Sequence, residues 1–237
     1  TLIVLMSIIV LFLAIRSYRN FTGGAVFDYD KRDGGPFEAV GLGANHFGAF
    51  IAYTCAFCLG LALMDQDKRR KILFWAAVLL GLHPLFFSYS RGAYLAALGI
   101  LTFYGVIKRR SLLIVLLIIL IAWQTVLPAS VVNRIMMTET DSGELEASAA
   151  SRLGVWQQAK DIFESNPVFG VGFGGFGLSV HESQLLTDTH NFYMKTLCEQ
   201  GIIGFTLLII ILIKALLSGW QLHKIGRTPF NKGLGLG

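Results

Sequence analysis

The sequence predicts an all-α protein whose helices cross a membrane several times and whose longest connecting segment lies outside the bilayer. The first observation is composition: 54% of the 237 residues are hydrophobic and 15% are charged, whereas soluble domains have about 25% charged residues. The second is that the hydrophobic residues form long separate runs, each close to the roughly 20 residues that a spanning helix needs. The third is that Lys and Arg cluster in the short loops between these runs.

We predict six spanning helices from the apolar runs. The runs are Leu2–Ile15, His46–Met64, Ile72–Ser88, Gly92–Ile107, Leu112–Leu127 and Gly201–Leu217. The first run is short because the sequence starts within it, so we expect the chain to be a fragment of a longer protein. The fourth run is also short, and we expect its helix to extend past Arg91 or Lys108, with the charged groups reaching outward.

The basic loops orient these helices. Residues 65–71, residues 108–111 and the C-terminal tail carry most of the Lys and Arg, and all three lie on one face if the spans alternate. Cytoplasmic loops are enriched in these residues, so we assign that face to the cytoplasm. Because the basic residues form no single patch, the net charge of +5 does not indicate a nucleic-acid partner.

This orientation divides the chain into three parts. Residues 1–127 hold five spans and an outer loop at 16–45. Residues 128–190 form the long outer loop. Residues 191–237 return to the membrane, form the last span and end in a cytoplasmic tail.

One amphipathic helix is predicted within the long outer loop. Ser151 is a suitable N-cap, and Asn166-Pro167 ends the helix after about Ser165. Its apolar positions recur at helical spacing and form one stripe: Leu153, Trp156, Ala159, Ile162 and Phe163. Such a helix can lie along the membrane interface with Trp156 at the level of the headgroups.

His190 is the first candidate for chemistry. It is followed by Asn191 and, after nine further residues, by Gly201 and Gly204. A His where the outer loop returns to the bilayer is partly desolvated and can act as a base near neutral pH. The two glycines would let a neighbouring helix approach closely. A boundary His followed by small packing residues explains the same pattern without any chemistry.

Arg91 is the second candidate, in the sequence Ser88-Tyr89-Ser90-Arg91-Gly92-Ala93. It lies between two predicted spans, on the same outer face as His190. An Arg beside apolar spans is costly unless it has an anionic partner, and the guanidinium fork suits a pyrophosphate because it binds two oxygens at once. The alternative is an Arg that only marks the end of a helix.

Two further motifs favour structural interpretations. Residues 172–177 match G-x-G-x-x-G, but no strand or βαβ unit surrounds them, so a flexible turn is expected instead of a dinucleotide site. Asp28-Tyr29-Asp30 is similar to a metal-binding D-x-D motif, and we interpret it as part of a solvated acidic loop. His181, Glu182 and Asp188 lie near His190 in sequence, and one of the acids could tune the imidazole.

In combination, these motifs resemble the superfamily of O-antigen ligases, polysaccharide polymerases and protein O-oligosaccharyltransferases. The resemblance covers about Gly41 to Phe205, where the order and spacing of the motifs match. They are His190-Asn191 with Gly201 and Gly204, Ser90-Arg91-Gly92-Ala93, Ser151-Arg152-Leu153 with the helix that follows, and residues 166–172. Full-length members have more spans, which agrees with a fragment that lacks its N-terminal helices.

The resemblance implies a GT-C-like fold and an enzyme. Its members move a glycan from an undecaprenyl-pyrophosphate carrier to an acceptor hydroxyl, with no metal or other cofactor, at the periplasmic face of the bacterial inner membrane. It further implies that His190 takes the acceptor proton, that Arg91 stabilises the leaving pyrophosphate, and that Arg152 is a second phosphate ligand aided by the N-terminus of its helix. Asn191 would orient the imidazole or the acceptor. The expected partners are the lipid-linked donor, a glycan, lipid or protein acceptor, and membrane lipids.

The sequence leaves alternatives open. Ligase, polymerase and protein glycosylase share donor, base and leaving group, and we take a polymerase or an exopolysaccharide ligase as the working interpretation. A polysaccharide transporter, a flippase or another non-catalytic membrane subunit would also explain the spans and the charge bias. It would not explain a long outer loop that ends in His190 on the same face as Arg91.

Overall fold

The computed structural model describes residues 2–21, 26–137, 147–179 and 189–237, and within these ranges it contains helices and no strand. The α-helices are α1 Leu2–Asn20, α2 Gly43–Met64, α3 Lys68–Phe87, α4 Arg91–Ile107, α5 Ser111–Val126, α6 Ala129–Met136, α7 Ala147–Ser165, α8 Gly175–Ser179, α9 Phe192–Ile225 and α10 Pro229–Leu234. Two 3₁₀ helices, Tyr29–Lys31 and Gly35–Val40, lie between α1 and α2.

Four of the predicted spans are confirmed by length and composition. Helices α1, α2, α3 and α9 are long and apolar enough to cross a membrane. Helix α5 reaches the required length only together with α6, from which it is bent by 100°. Helix α4 is apolar but has 17 residues. The described residues thus hold four spans, or five if the bent pair forms one, and the chain is an all-α polytopic membrane protein.

The expectation that the fourth helix extends beyond Arg91 or Lys108 is wrong. Helix α4 begins at Arg91, because the Ser90 hydroxyl accepts the N–H of Ala93 at 3.4 Å and caps the first turn. Helix α4 ends at Ile107, and Lys108 already leaves the helical conformation with φ −124°.

The chain divides into two compact units. Unit 1 comprises Thr1–Met136 and Ser218–Gly237, and unit 2 comprises Met137–Leu217. The core of unit 1 is made by α1, α2 and α3, and its largest fully buried side chains include Phe47, Ile51, Leu61 and Phe74. Small residues let α2 and α3 approach closely: a Cβ at Gly81 would lie 2.7 Å from the Cys55 sulfur.

Unit 2 packs α7 and α8 against the first turns of α9. Its core consists of Val155, Ala159, Phe176 and Cys198, with Ile162, Phe163 and Met194 packed against them. The predicted stripe is therefore correct at Ala159, Ile162 and Phe163. It is wrong at Leu153, which is 50% exposed, and it missed Val155, which is 4% exposed.

The predicted start of this amphipathic helix is also wrong. Helix α7 begins at Ala147, so Ser151 lies one turn inside it and does not cap it. The alanine-rich sequence before Ser151 has high helix propensity, which favours the extension. The predicted end is confirmed, because α7 stops at Ser165 and the N–H of Asn166 closes the last turn on the carbonyls of Ile162 and Phe163.

Candidate functional site

His190 occupies a constrained position just before α9. Its φ of +49° places it in the left-handed region, which side chains other than glycine adopt at a cost of about 1–2 kcal/mol. The side chain of His190 is exposed. A residue stays in such a conformation only when its surroundings hold it there.

Three hydrogen bonds supply that restraint on both sides of His190. The Trp156 indole Nε1 donates to the carbonyl of Thr189 at 2.9 Å. The Thr189 hydroxyl donates to the carbonyl of Asn191 at 2.9 Å and accepts the N–H of Asn191 at 3.3 Å. Thr189 is 1% exposed, so the three bonds, which are partly buried, are costly to lose on the Thr189 side. Trp156, which was expected at the level of the headgroups, is thus a direct support of the segment that carries His190.

Asn191 is the N-cap of α9. Its Oδ1 accepts the N–H groups of Tyr193 at 3.1 Å and Met194 at 3.3 Å. This position is one that Asn favours strongly, because its side chain satisfies N–H groups that have no partner within the helix. The side-chain oxygen therefore has a structural role as the cap. That Asn191 also orients the imidazole or the acceptor stays a prediction.

Arg152 lies on α7, one turn before Trp156, and is half-buried. Residues four apart lie on the same face of a helix, so Arg152 shares the face from which Trp156 reaches Thr189. The expectation that the helix N-terminus assists Arg152 is wrong, because the first four N–H groups belong to the residues that precede Ser151.

Arg91 is the first residue of α4, directly after a buried turn. Ser88 is fully buried and its hydroxyl donates to the carbonyl of Leu85 at 2.8 Å. Tyr89 has φ +49° and is 2% exposed. Burial raises the pKa of Tyr89, and a hydrogen bond with Ser130 partly opposes that rise. The turn therefore fixes the direction in which α4 and Arg91 leave it.

Two arginines near this turn were not identified as candidates from the sequence. Arg32 donates from Nε to the carbonyl of Ser88 at 3.0 Å and from Nη2 to Asn45 Oδ1 at 2.7 Å. Arg134, on α6, is 5% exposed and lies over the ring of Phe27 at 4.8 Å. Burial lowers the pKa of Arg32, the phenol of Tyr29 opposes this, and the charge of Arg134 lowers it further.

Arg32 and Arg134 lie over neighbouring aromatic rings. Arg32 is 5.3 Å from the ring centre of Tyr29, Arg134 is 4.8 Å from that of Phe27, and the two ring centres are 6.3 Å apart. Their sequence signal was weak, since each is a single Arg in a loop or a short amphipathic helix. Unit 1 therefore contains Arg32, Arg134 and the turn that carries Arg91, and Arg32 is bonded to that turn, while Arg152, His190 and Asn191 lie in unit 2.

A second set of hydrogen bonds in unit 2 holds the start of the last span. Helix α9 is broken at Gly201, where φ is +63° and ψ is −167°. Beyond the break, the N–H groups of Ile202 and Ile203 donate to the carbonyls of Pro167 and Val168, at 2.9 and 3.5 Å. These bonds connect the broken helix to the 166–172 loop.

The same loop donates hydrogen bonds to the carbonyls that the break leaves without a donor in the helix. The carbonyls of Cys198 and Glu199 accept the N–H groups of Val171 and Gly172, at 3.0 and 2.8 Å. A Cβ at Gly201 would lie 2.2 Å from the carbonyl oxygen of Val168. The expectation that Gly201 admits a neighbouring helix is therefore wrong, because a loop backbone approaches it. A Cβ at Gly204 would meet the Gln200 side chain of its own helix at 2.3 Å.

The segment with the G-x-G-x-x-G pattern is only partly a turn. Gly172 and Gly174 have positive φ, as a turn requires, but α8 starts at Gly175. Phe176 is fully buried, and its N–H donates to Glu199 Oε1 at 3.3 Å. The expectation of a flexible turn over the whole of 172–177 is wrong, because this contact and the apolar core of unit 2 hold its second half.

Other candidates have the following positions. Asp28 caps the first 3₁₀ helix and pairs with Lys31 at 3.0 Å, so the hydrogen bond from Lys31 lowers its pKa most. Within the described ranges no group of three His, Cys, Asp or Glu could hold a metal ion. His181, Glu182 and Asp188 lie outside the described residues.

The variant Trp156→Phe is expected to loosen the segment around His190. It keeps an aromatic ring but removes the donor to the Thr189 carbonyl, which should cost about 1 kcal/mol. Amide hydrogen exchange over residues 189–194 should accelerate about fivefold. The control is Trp123→Phe, since Trp123 lies on α5 in unit 1, outside the unit that carries His190. Unchanged exchange in Trp156→Phe would show that the bond does not restrain His190.

Comparison with known protein families identifies a match. A family model described as O-antigen ligase matches residues 76–209, which is more than half of the chain and includes Arg91, Arg152, His190 and Asn191. No curated protein matches the chain.

Proposed function

Because the chain belongs to the O-antigen ligase family, we propose that it transfers or polymerises a glycan from an undecaprenyl-pyrophosphate donor onto an acceptor hydroxyl. The family makes it a glycan-transferring enzyme of the ligase or polymerase kind. The proposal adds the donor, the periplasmic face of the bacterial inner membrane, and the residues that act. Polymerase or exopolysaccharide ligase remains the working interpretation of the acceptor.

The proposed reaction is a single displacement at the anomeric carbon. The acceptor oxygen forms a bond to that carbon while the bond to the pyrophosphate oxygen breaks, and the bonding pair leaves with the pyrophosphate. His190 takes the proton from the acceptor hydroxyl. Attack opposite the leaving group inverts the anomeric configuration. The chemistry needs one base and several fixed cations, and no metal takes part.

The observation that carries this proposal is the restraint on His190. An exposed imidazole in a strained backbone conformation, held by Trp156, Thr189 and the cap of α9, matches what a general base requires. Such a base must keep its position relative to the proton that it removes. Strain of this kind is concentrated at functional sites.

The arginines support the second half of the reaction. Negative charge grows on the pyrophosphate as the sugar departs, and fixed cations lower the barrier when they face that charge. Arg91 follows the buried turn of Ser88 and Tyr89, and Arg152 shares a helix face with Trp156.

The variant His190→Gln is expected to lower glycan transfer by at least about 100-fold, because general base catalysis contributes about 10²- to 10⁴-fold. Gln keeps hydrogen-bonding groups but cannot take a proton. The measurement is the initial rate of transfer in membrane vesicles that contain the full-length protein, with polyprenyl-pyrophosphate glycan as donor.

The control for this variant is His223→Gln. His223 lies near the end of α9 and contacts the carbonyl of Lys232, far along the chain from the proposed base. A flippase or transporter would move lipid-linked glycan equally well with Gln at position 190, since it needs no base. Retained transfer in His190→Gln would therefore reject His190 as the base, whereas movement of lipid-linked glycan across the membrane with no transfer in the wild type would reject the enzymatic proposal in favour of that class.

A further inference from the structure

Unit 1 contains a cavity of about 260 Å³ that the proposed reaction does not use. It lies between the end of α1, the two 3₁₀ helices and the start of α2. Its volume is close to the lower end of the range of about 300–1,000 Å³ that small-molecule sites occupy. The cavity therefore fits a small ligand.

The floor of this cavity is a fixed polar cluster. Ser17 is 6% exposed; its hydroxyl donates to Asp33 Oδ2 and lies 3.0 Å from His83 Nδ1. Asp33 Oδ1 accepts the N–H of Gly35 at 3.0 Å. Since the serine proton points to the carboxylate, Ser17 is not arranged as a nucleophile. The cluster instead holds its hydrogen-bonding groups in place before any ligand arrives.

The charges around the cavity are balanced. Three basic and three acidic side chains line it: Arg16, Lys31, Arg32, Asp30, Asp33 and Glu38. A pyrophosphate would favour an excess of cations, and a metal ion would favour an excess of carboxylates. Phe21 and Phe47 add aromatic surface. Balanced polar groups beside aromatic rings suit a neutral ligand with many hydroxyls and an apolar C–H face.

The cavity is tied directly to the turn that carries Arg91. The N–H of Asp33 donates to the carbonyl of Phe87 at 2.9 Å, and Arg32 Nε donates to the carbonyl of Ser88. We infer that this cavity is a subsite for one neutral sugar ring, either of the donor glycan or of the acceptor glycan. This inference rests on the proposed function, which supplies a sugar next to a pyrophosphate.

The test uses two lining residues whose side chains are exposed. Asn20→Ala and Asp30→Asn are combined in the full-length protein in vesicles, and Arg19→Ala is the matched control, because Arg19 is an exposed neighbour on α1 that does not line the cavity. The Michaelis constants for donor and acceptor are measured separately. We expect one of them to rise about tenfold, since the loss of a hydrogen bond from a ligand hydroxyl to a charged carboxylate weakens binding by about this factor.

A rise confined to the donor would place the donor sugar in the cavity, and a rise confined to the acceptor would place the acceptor sugar there. Unchanged constants for both would overturn the inference. Binding of the free oligosaccharide, released from its carrier by mild acid, is measured in parallel by saturation-transfer NMR. If wild-type protein transfers no glycan, the proposed function fails, yet weaker binding in the double variant would still support the subsite, and equal binding would reject it.

Discussion

Replacing Gly201 by Ala should disrupt the junction between the 166–172 loop and the last span, and should leave little correctly folded protein. The backbone at Gly201 has φ +63° and ψ −167°, a region that is essentially restricted to glycine and that costs other residues about 1–3 kcal/mol. The added Cβ would also lie 2.2 Å from the oxygen and 2.4 Å from the carbon of the Val168 carbonyl. These are backbone atoms and cannot turn away as a side chain would.

Relieving this clash requires the loop to move off the helix. Four hydrogen bonds would then be lost, those that join Ile202, Ile203, Cys198 and Glu199 to the loop. Each contributes about 1 kcal/mol, and buried groups left unpaired cost more. Because a folded domain is stable by only about 5–15 kcal/mol, a loss of several kcal/mol should lower the yield of folded protein strongly.

The matched control is Gly154→Ala, in the same unit. Gly154 lies on α7 without positive φ, and among the described residues no atom lies within 4 Å of the position of an added Cβ. Ala there should stabilise the helix by about 0.8–1 kcal/mol. The measurement is the fraction of monodisperse protein after detergent extraction, together with its thermal unfolding temperature. If both variants extract and unfold alike, the loop does not depend on the bare backbone at Gly201.

This junction also shows where sequence analysis reached its limit. Long apolar runs revealed α1, α2, α3 and the membrane part of α9, because hydrophobic length is a local property that spacing along the chain records. Gly201 was correctly singled out, but its task was misjudged. Its conformation is set by a loop about 30 residues earlier in the chain, and no local pattern reports which distant backbone approaches a glycine.

The same distinction applies to the candidate site, where local features could be predicted from the sequence and contacts between distant residues could not. The cap formed by Asn191 could have been read from the sequence, since Asn before an amphipathic run is a favoured N-cap. The support from Trp156 could not, because its partner is the carbonyl of Thr189, 33 residues away. Arg32 and Arg134 were missed for a related reason. They lie over the neighbouring rings of Tyr29 and Phe27, an arrangement that follows from packing and not from either sequence neighbourhood.

Arg91→Ala should lower the rate of glycan transfer by about 10³-fold. Removing one preorganised donor from a site of developing negative charge costs about 10²- to 10³-fold, and an arginine that faces a transferring phosphoryl group contributes about 10³- to 10⁵-fold. The fold should survive, because the cap of α4 is the Ser90 hydroxyl, and the buried turn is held by Ser88 and Tyr89. Arg109→Ala, in a loop predicted to be cytoplasmic, is the control and should keep full activity.

The measurement that tests this role is whether Arg91→Ala changes the turnover number or the Michaelis constant for the donor. The charge on the pyrophosphate increases as its bond to the sugar breaks, so a cation placed for the leaving group should act mainly on turnover. Arg91→Lys keeps the charge but loses the two-pronged fork, and should recover only part of the rate. If Arg91→Ala raised only the Michaelis constant, Arg91 would hold the carrier equally before and during the reaction. If neither constant changed, the leaving group would depend on other cations, and Arg91 would only mark the start of α4.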